Sequence, residues 1–238
     1  MKTVLITGAS SGVGFATTKL LSEQGYKIIA LGRNPERMAE VKKLSGVIAF
    51  NADITDREAI AALSETYDID ILINNAGIMP PLARFDSAAQ ADIDRVISIN
   101  FTAQTVLTRL FMQRMIAKRT GHIVFISSTA AHTPFSNIAT YSATKAAISS
   151  LAQSLRLEVA DYNIRVTELV AGRIETSLYA DILSESARHK MYEGGTALQP
   201  SDVAESIAFT LSLPTHACCN RLDLVPTRNS TVTSGAQE

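Results

Sequence analysis

Seven short runs of Val, Ile, Leu and Ala recur along the chain, at 3–7, 27–31, 46–50, 70–74, 122–127, 165–170 and 221–225. Most are continuous rather than alternating, as strands buried on both faces should be. Helical patterns lie between them. After Gly12, the residues Val13, Ala16, Leu20 and Leu21 share one face, and Gly25 supplies a stop. "TDRE" at 55–58 reads as a capping box with Thr55 as the N-cap. A helical stretch over about 88–118 carries a break near Asn100, another covers about 140–160, and 200–211 forms a last helix. No linker, charge block or repeat divides the 238 residues. Such alternation predicts one α/β domain, a doubly wound parallel sheet of about seven strands with helices on both faces.

Composition removes several classes of function. With 22 basic and 23 acidic residues interspersed, the chain offers no electrostatic footprint for nucleic acid or an anionic membrane. No apolar run is long enough to span a bilayer, and the apolar part of "MKTVLITG" is too short for a signal peptide. A cytoplasmic location is expected. Cys218 and Cys219 are adjacent, which suits neither a disulfide framework nor a zinc site, and the four His show no ligand spacing. No metal is expected.

The first run opens "TVLITGASSGVGFATTKLL", a strand, a tight loop and a helix in that order. Gly8, Gly12 and Gly14 stand where such a loop must turn, approach a ligand and pack its helix. There, backbone N–H groups can meet a pyrophosphate, as in a Rossmann-type dinucleotide site. The second strand ends in "ALGRN". An NAD enzyme places a carboxylate here to hold the ribose 2′-hydroxyl, whereas Arg33 suits a 2′-phosphate and Gly32 leaves room for it. NADP(H) is therefore predicted over NAD(H). Further on, "TYSATKAA" sets Tyr141 and Lys145 four apart, on one helix face. The spacing alone fits a solvated Lys beside a half-buried Tyr as well as a catalytic pair.

These motifs in this order resemble the short-chain dehydrogenase/reductases, in their single-domain branch. The likeness rests on Thr7 to Gly14, "NAD" ending at Asp53, "NNAG" at 74–77, "SIN" ending at Asn100, "ISS" at 126–128 and "YSATK" at 141–145. The resemblance implies a catalytic set of Asn100, Ser128, Tyr141 and Lys145, the family's thirteen-residue spacing selecting Ser128 over Ser127. It implies cofactor contacts from Gly8, Ser10, Ser11, Gly12, Val13, Gly14, Arg33, Asp53, Ile54, Asn75, Ala76 and Gly77. Tyr141, Lys145, Gly172, Ile174 and Thr176 complete that set. A carbonyl oxygen would receive a hydrogen bond from Ser128 and a proton from Tyr141. Lys145 would lower the phenol's pKa and hold the nicotinamide ribose, and Asn100 would anchor a water.

The resemblance further implies a single domain over 1–238 and a substrate lid at about 173–195, with Gly194–Gly195 as hinge. The substrate would be a small ketone, aldehyde, hydroxy acid or sugar alcohol. Met79, Phe135, Ile138, Leu178 and Tyr179 are candidates for an apolar wall, while His132 and Arg173 either meet a polar or acidic substrate or, the favoured reading, are solvated. A homodimer or homotetramer is expected, with Leu107, Leu110, Phe111 and Met115 covering the interface. Three positions depart from the family's pattern. Ala171 replaces a Pro before Gly172, which predicts a looser nicotinamide loop. Ala103 replaces a Gly, and Ser11 stands where many NADP-using relatives have a basic residue, leaving Arg33 most of the phosphate recognition. A catalytically silent NADP(H)-binding sensor is the alternative; loss of Tyr141 or Lys145 would mark it, and both are present.

Overall fold

The computed structural model describes residues 1–180 and 182–228, so position 181, within the expected lid, and the tail from 229 lie outside the described residues. Seven parallel strands form one sheet in the order β3-β2-β1-β4-β5-β6-β7. They are β1 (Thr3–Thr7), β2 (Lys27–Gly32), β3 (Val47–Asn51), β4 (Ile71–Asn74), β5 (Gly121–Ser128), β6 (Ile164–Ala171) and β7 (Arg221–Leu224). Each falls within two residues of its apolar run in the sequence. β5 and β6 are longest and buried almost throughout, as continuous runs dictate.

The helices cover both faces. One core layer joins α3 (Arg57–Thr66), α5 (Gln104–Lys118) and α6 (Ala139–Glu158) to the sheet through Leu63, Phe111, Ile148 and Phe125. The other joins α1 (Gly12–Glu23), α2 (Pro35–Val41) and α8 (Pro200–Ser212) through Leu21, Met38, Ile207 and Val124. α4 (Gln90–Ile97) leads into α5, and α7 (Glu185–Tyr192) lies between β6 and α8. The strand order reverses direction between β1 and β4, so a crevice opens at their carboxyl ends.

Several local expectations shift. The cap of α3 is Asp56, whose side chain accepts from the N–H groups of Glu58 and Ala59; Thr55 is instead engaged by Asp53. The buried stripe of α1 runs through Val13, Thr17, Thr18 and Leu21, leaving Ala16 and Leu20 only half-buried. Thr18 can be buried because its hydroxyl donates to the Gly14 carbonyl at 2.8 Å. The break near Asn100 is a π-helical turn over Ser98–Ala103 that joins α4 to α5 without interrupting the helical path. Leu107, Phe111 and Met115, expected at an interface, are buried in the chain's own core at 0–1% exposure. They cannot also face a partner.

Candidate active site

Four chain segments converge where β1, β4, β5 and β6 end. The first is the glycine turn. Gly8 and Gly12 have φ of +67° and +51°, a region L side chains disfavour. An ideal Cβ on Gly14 would stand 2.2 Å from the Gly8 carbonyl oxygen, so α1 can approach the turn only with glycine there. Ser11 caps α1 with no side-chain hydrogen bond, and the first turn carries no acid. Its N–H groups are left without a competing anion, which fits a pyrophosphate.

The second segment, "NNAG", proves to be a brace as well as a candidate contact. The Thr7 hydroxyl oxygen accepts from the N–H groups of Asn75 and Ala76, both at 2.9 Å, and Asn75 Nδ2 donates to the Thr7 carbonyl at 2.8 Å. Gln104 Nε2 holds the Ala76 carbonyl from α5. Thr7 was not singled out for a role of its own; its signal was a hydroxyl at the end of an otherwise aliphatic strand. Gly77 packs next to Asn100 and Lys145, at 3.4 Å from Asn100 Oδ1 and 3.8 Å from Lys145 Nζ to an ideal Cβ. Asn100 is fully buried in the π turn, and its amide both accepts from the N–H and donates to the carbonyl of Ile78, at 2.8 and 2.9 Å.

At the end of β2, Arg33 lies 3.8 Å from Asp53 with both side chains substantially exposed. Burial raises the Asp53 pKa, but hydrogen bonds from the Thr55 hydroxyl and N–H, with Arg33 behind them, bring it below its ordinary value. Gly32 leaves less room than expected. An ideal Cβ there would meet Met38 Sδ at 2.6 Å and Ser10 Cβ at 3.3 Å, so this glycine serves the packing of α2 and the turn. The Ile54 side chain is likewise part of the core, leaving only its backbone for a ligand.

The catalytic candidates sit at the end of β5 and the start of α6. The Ser128 side chain stands close enough to the Tyr141 phenol to draw its pKa down, while Ser127 Oγ is buried without a partner among the described residues. Geometry and family spacing agree on Ser128. Lys145 Nζ donates to the Ile126 carbonyl at 2.8 Å and lies 5.8 Å from the centre of the Tyr141 ring. Burial pushes Lys145 down to about 8. Burial, followed by the nearby Tyr179, pushes the phenol well above its ordinary value, with Ser128 acting the other way. The depression expected from Lys145 is not among the causes of the shift, which burial dominates.

On the third side, Ala171 keeps β6 in register to its last residue, opposite Ser128 and Leu224. Gly172 N–H donates to Leu224 at 2.8 Å and Ile174 pairs with Leu198, so the loop is tied down rather than loose. Thr176 closes over the glycine turn, its Cγ2 3.2 Å from an ideal Cβ on Gly12. A cavity of about 190 Å³ lies between 80–93 and 137–140 and is not lined by Ser128, Tyr141 or Lys145. Of the expected wall, Ile138 lines that cavity and Phe135 is 57% exposed. His132 approaches Glu168, and Arg173 donates to the Met191 carbonyl; neither is simply solvated.

A Rossmann-type sheet with a glycine turn at its reversal point, and Ser128, Tyr141 and Lys145 at the next strand end, defines a class. The chain belongs to the short-chain dehydrogenase/reductases: the family's profile, described as short chain dehydrogenase, matches residues 2–187. An uncharacterized short-chain type dehydrogenase/reductase of Sinorhizobium fredii, y4eK, is 37% identical, over 98% of this chain and 94% of its own. The NADP-dependent 3-hydroxy acid dehydrogenase YdfG of Escherichia coli is 32% identical, over 95% and 96%. The closed form of a serine dehydrogenase complexed with NADP+ superposes with a TM-score of 0.92 at 30% identity, covering 99% of both chains.

Proposed function

We propose that the chain is an NADP(H)-dependent oxidoreductase that interconverts a small carbonyl compound, ketone or aldehyde, and its alcohol, with a 3-hydroxy acid as the alcohol. The group of half-buried Ser128 with buried Tyr141 and Lys145 carries the reading. Ser128 donates a hydrogen bond to the carbonyl oxygen, where charge develops, and Tyr141 gives that oxygen its proton. A phenol raised by burial stays protonated at neutral pH, which suits reduction. Lys145 stabilises the phenolate left behind, and Asn100 anchors a water that returns the proton. A bound nicotinamide cofactor supplies or accepts the hydride. The intact trio gives the silent-sensor alternative no support.

Cofactor choice rests on Arg33 and on the NADP dependence of the relatives named above. The exposed Arg33–Asp53 pair is worth at most about 1 kcal/mol, so Arg33 can turn to a 2′-phosphate at little loss. Asp53 then faces the adenine side. Gly194 and Gly195, both at φ +73° with open space around them, serve as the lid's hinge. The same reading places the protein in the cytoplasm as a homodimer or homotetramer.

Following NADPH oxidation against small aldehydes, ketones and 3-oxo acids, and NADP+ reduction against 3-hydroxy acids including serine, tests it. Turnover favouring the acids over neutral alcohols is expected. Turnover of neutral compounds only would overturn the substrate class, and silence in both directions would overturn the activity.

A further inference from the structure

Glu168 has no part in the chemistry above, yet it is a carboxylate at 2% exposure in the middle of β6, on the face that packs against α6. Its Oε2 accepts from the Ser149 hydroxyl at 3.0 Å. Its Oε1 is buried and receives no hydrogen bond from the described residues. A buried carboxylate oxygen without a donor is costly, by several kcal/mol in general, so a nearby group able to donate is under strong pull. That group is His132, whose Nε2 lies 3.6 Å from Oε1.

The two partners of Glu168 belong to the two halves of the catalytic group. Ser149 follows Lys145 by four residues on α6 and so shares its face. His132 closes the single turn that begins at Ser128, its N–H donating to Thr129 at 3.0 Å, while the Ser128 hydroxyl oxygen accepts from Ala130 N–H at 3.2 Å. Arg221 and Asp223 of β7 complete the charged surroundings, Arg221 acting on Glu168 and Asp223 feeling His132.

We infer that His132 and Glu168 are positioning residues: the buried carboxylate fastens the turn after Ser128 to the helix that carries Tyr141 and Lys145, and so sets where Ser128 stands relative to the Tyr141 phenol. The inference rests on the proposed catalytic roles. Displacing a reacting group by a fraction of an ångström is enough to slow chemistry while leaving binding intact.

The test compares His132→Ala, His132→Gln and Glu168→Leu with wild type in steady-state turnover and in amide hydrogen exchange of residues 129–133. His132→Ala should lower kcat about tenfold, with KM and the NADPH Kd within about twofold of wild type. His132→Gln, whose amide can donate from nearly the same place, should recover most of that loss. In a Glu168→Leu background, which has no acceptor for His132, His132→Ala should add little, since the strut is already broken. Exchange at 129–133 should rise in His132→Ala and return in His132→Gln. Wild-type kcat and exchange in His132→Ala would overturn the inference, as would a Gln variant no better than Ala. If the wild type turns over none of the carbonyls and acids offered, the proposed function fails and the exchange comparison still decides the strut.

Discussion

Lys145 gives the residue scale its clearest expectation. Its amine is held near 8 by burial, well below an ordinary lysine. Below that value it is an ammonium and supports the Tyr141 phenolate; above it the cation is lost. In the reductive direction kcat/KM should therefore fall as pH rises through about 8, and Lys145→Arg should move that limb upward. A profile flat to pH 9.5 or so would contradict this sign. Arg33 offers a second test at the same scale. A charge-assisted hydrogen bond contributes about 1.5–3 kcal/mol, roughly ten- to a hundredfold in affinity. Arg33→Ala should weaken NADPH by that factor and NADH hardly at all, as read by cofactor titration. Equal losses for both cofactors would remove Arg33 from phosphate recognition.

At the scale of elements, the glycine turn is the most constrained piece. Gly14→Ala puts a methyl 2.2 Å from the Gly8 carbonyl, and backbone must move on both sides of the turn. Overpacking of this kind costs about 1–3 kcal/mol, so a lowered thermal midpoint together with at least tenfold weaker NADPH binding is expected. An unchanged Kd would mean that the turn yields without losing its ligand contacts.

The strands were legible because each is a run of aliphatic residues bounded by polar ones, and burial on both faces leaves few other options. What escaped turns on local competition. Thr55 and Asp56 are both good caps, and only the fold shows that Asp53 has already claimed Thr55. α2 went unnoticed at seven residues, although Asn34 before Pro35 was a legible start. The site's residues were carried by motif and spacing, whereas the Thr7 brace and the Glu168–His132 approach depend on segments distant in sequence. The raised pKa of Tyr141 comes from burial and then from Tyr179, neither of which a local pattern records.

For the whole molecule, the sheet brings two half-sites to one edge. The glycine turn, Arg33 and Asp53 stand on the β1–β3 side, and Ser128, Tyr141 and Lys145 on the β5 side. Assembly is a separate matter. The apolar residues of α5 are spent on the chain's own core, while Leu157 on α6 is 69% exposed. A homodimer or homotetramer would bury it, and Leu157→Glu should then shift the mass in light scattering toward the monomer. A wild-type monomer at micromolar concentration would refute the oligomer. The most direct measurement for the account as a whole is turnover of Tyr141→Phe beside its NADPH affinity. Removing one hydroxyl should lower kcat about a hundredfold or more while the Kd for NADPH stays within about twofold. Turnover that survives the substitution would contradict the assignment of Tyr141 as the proton donor.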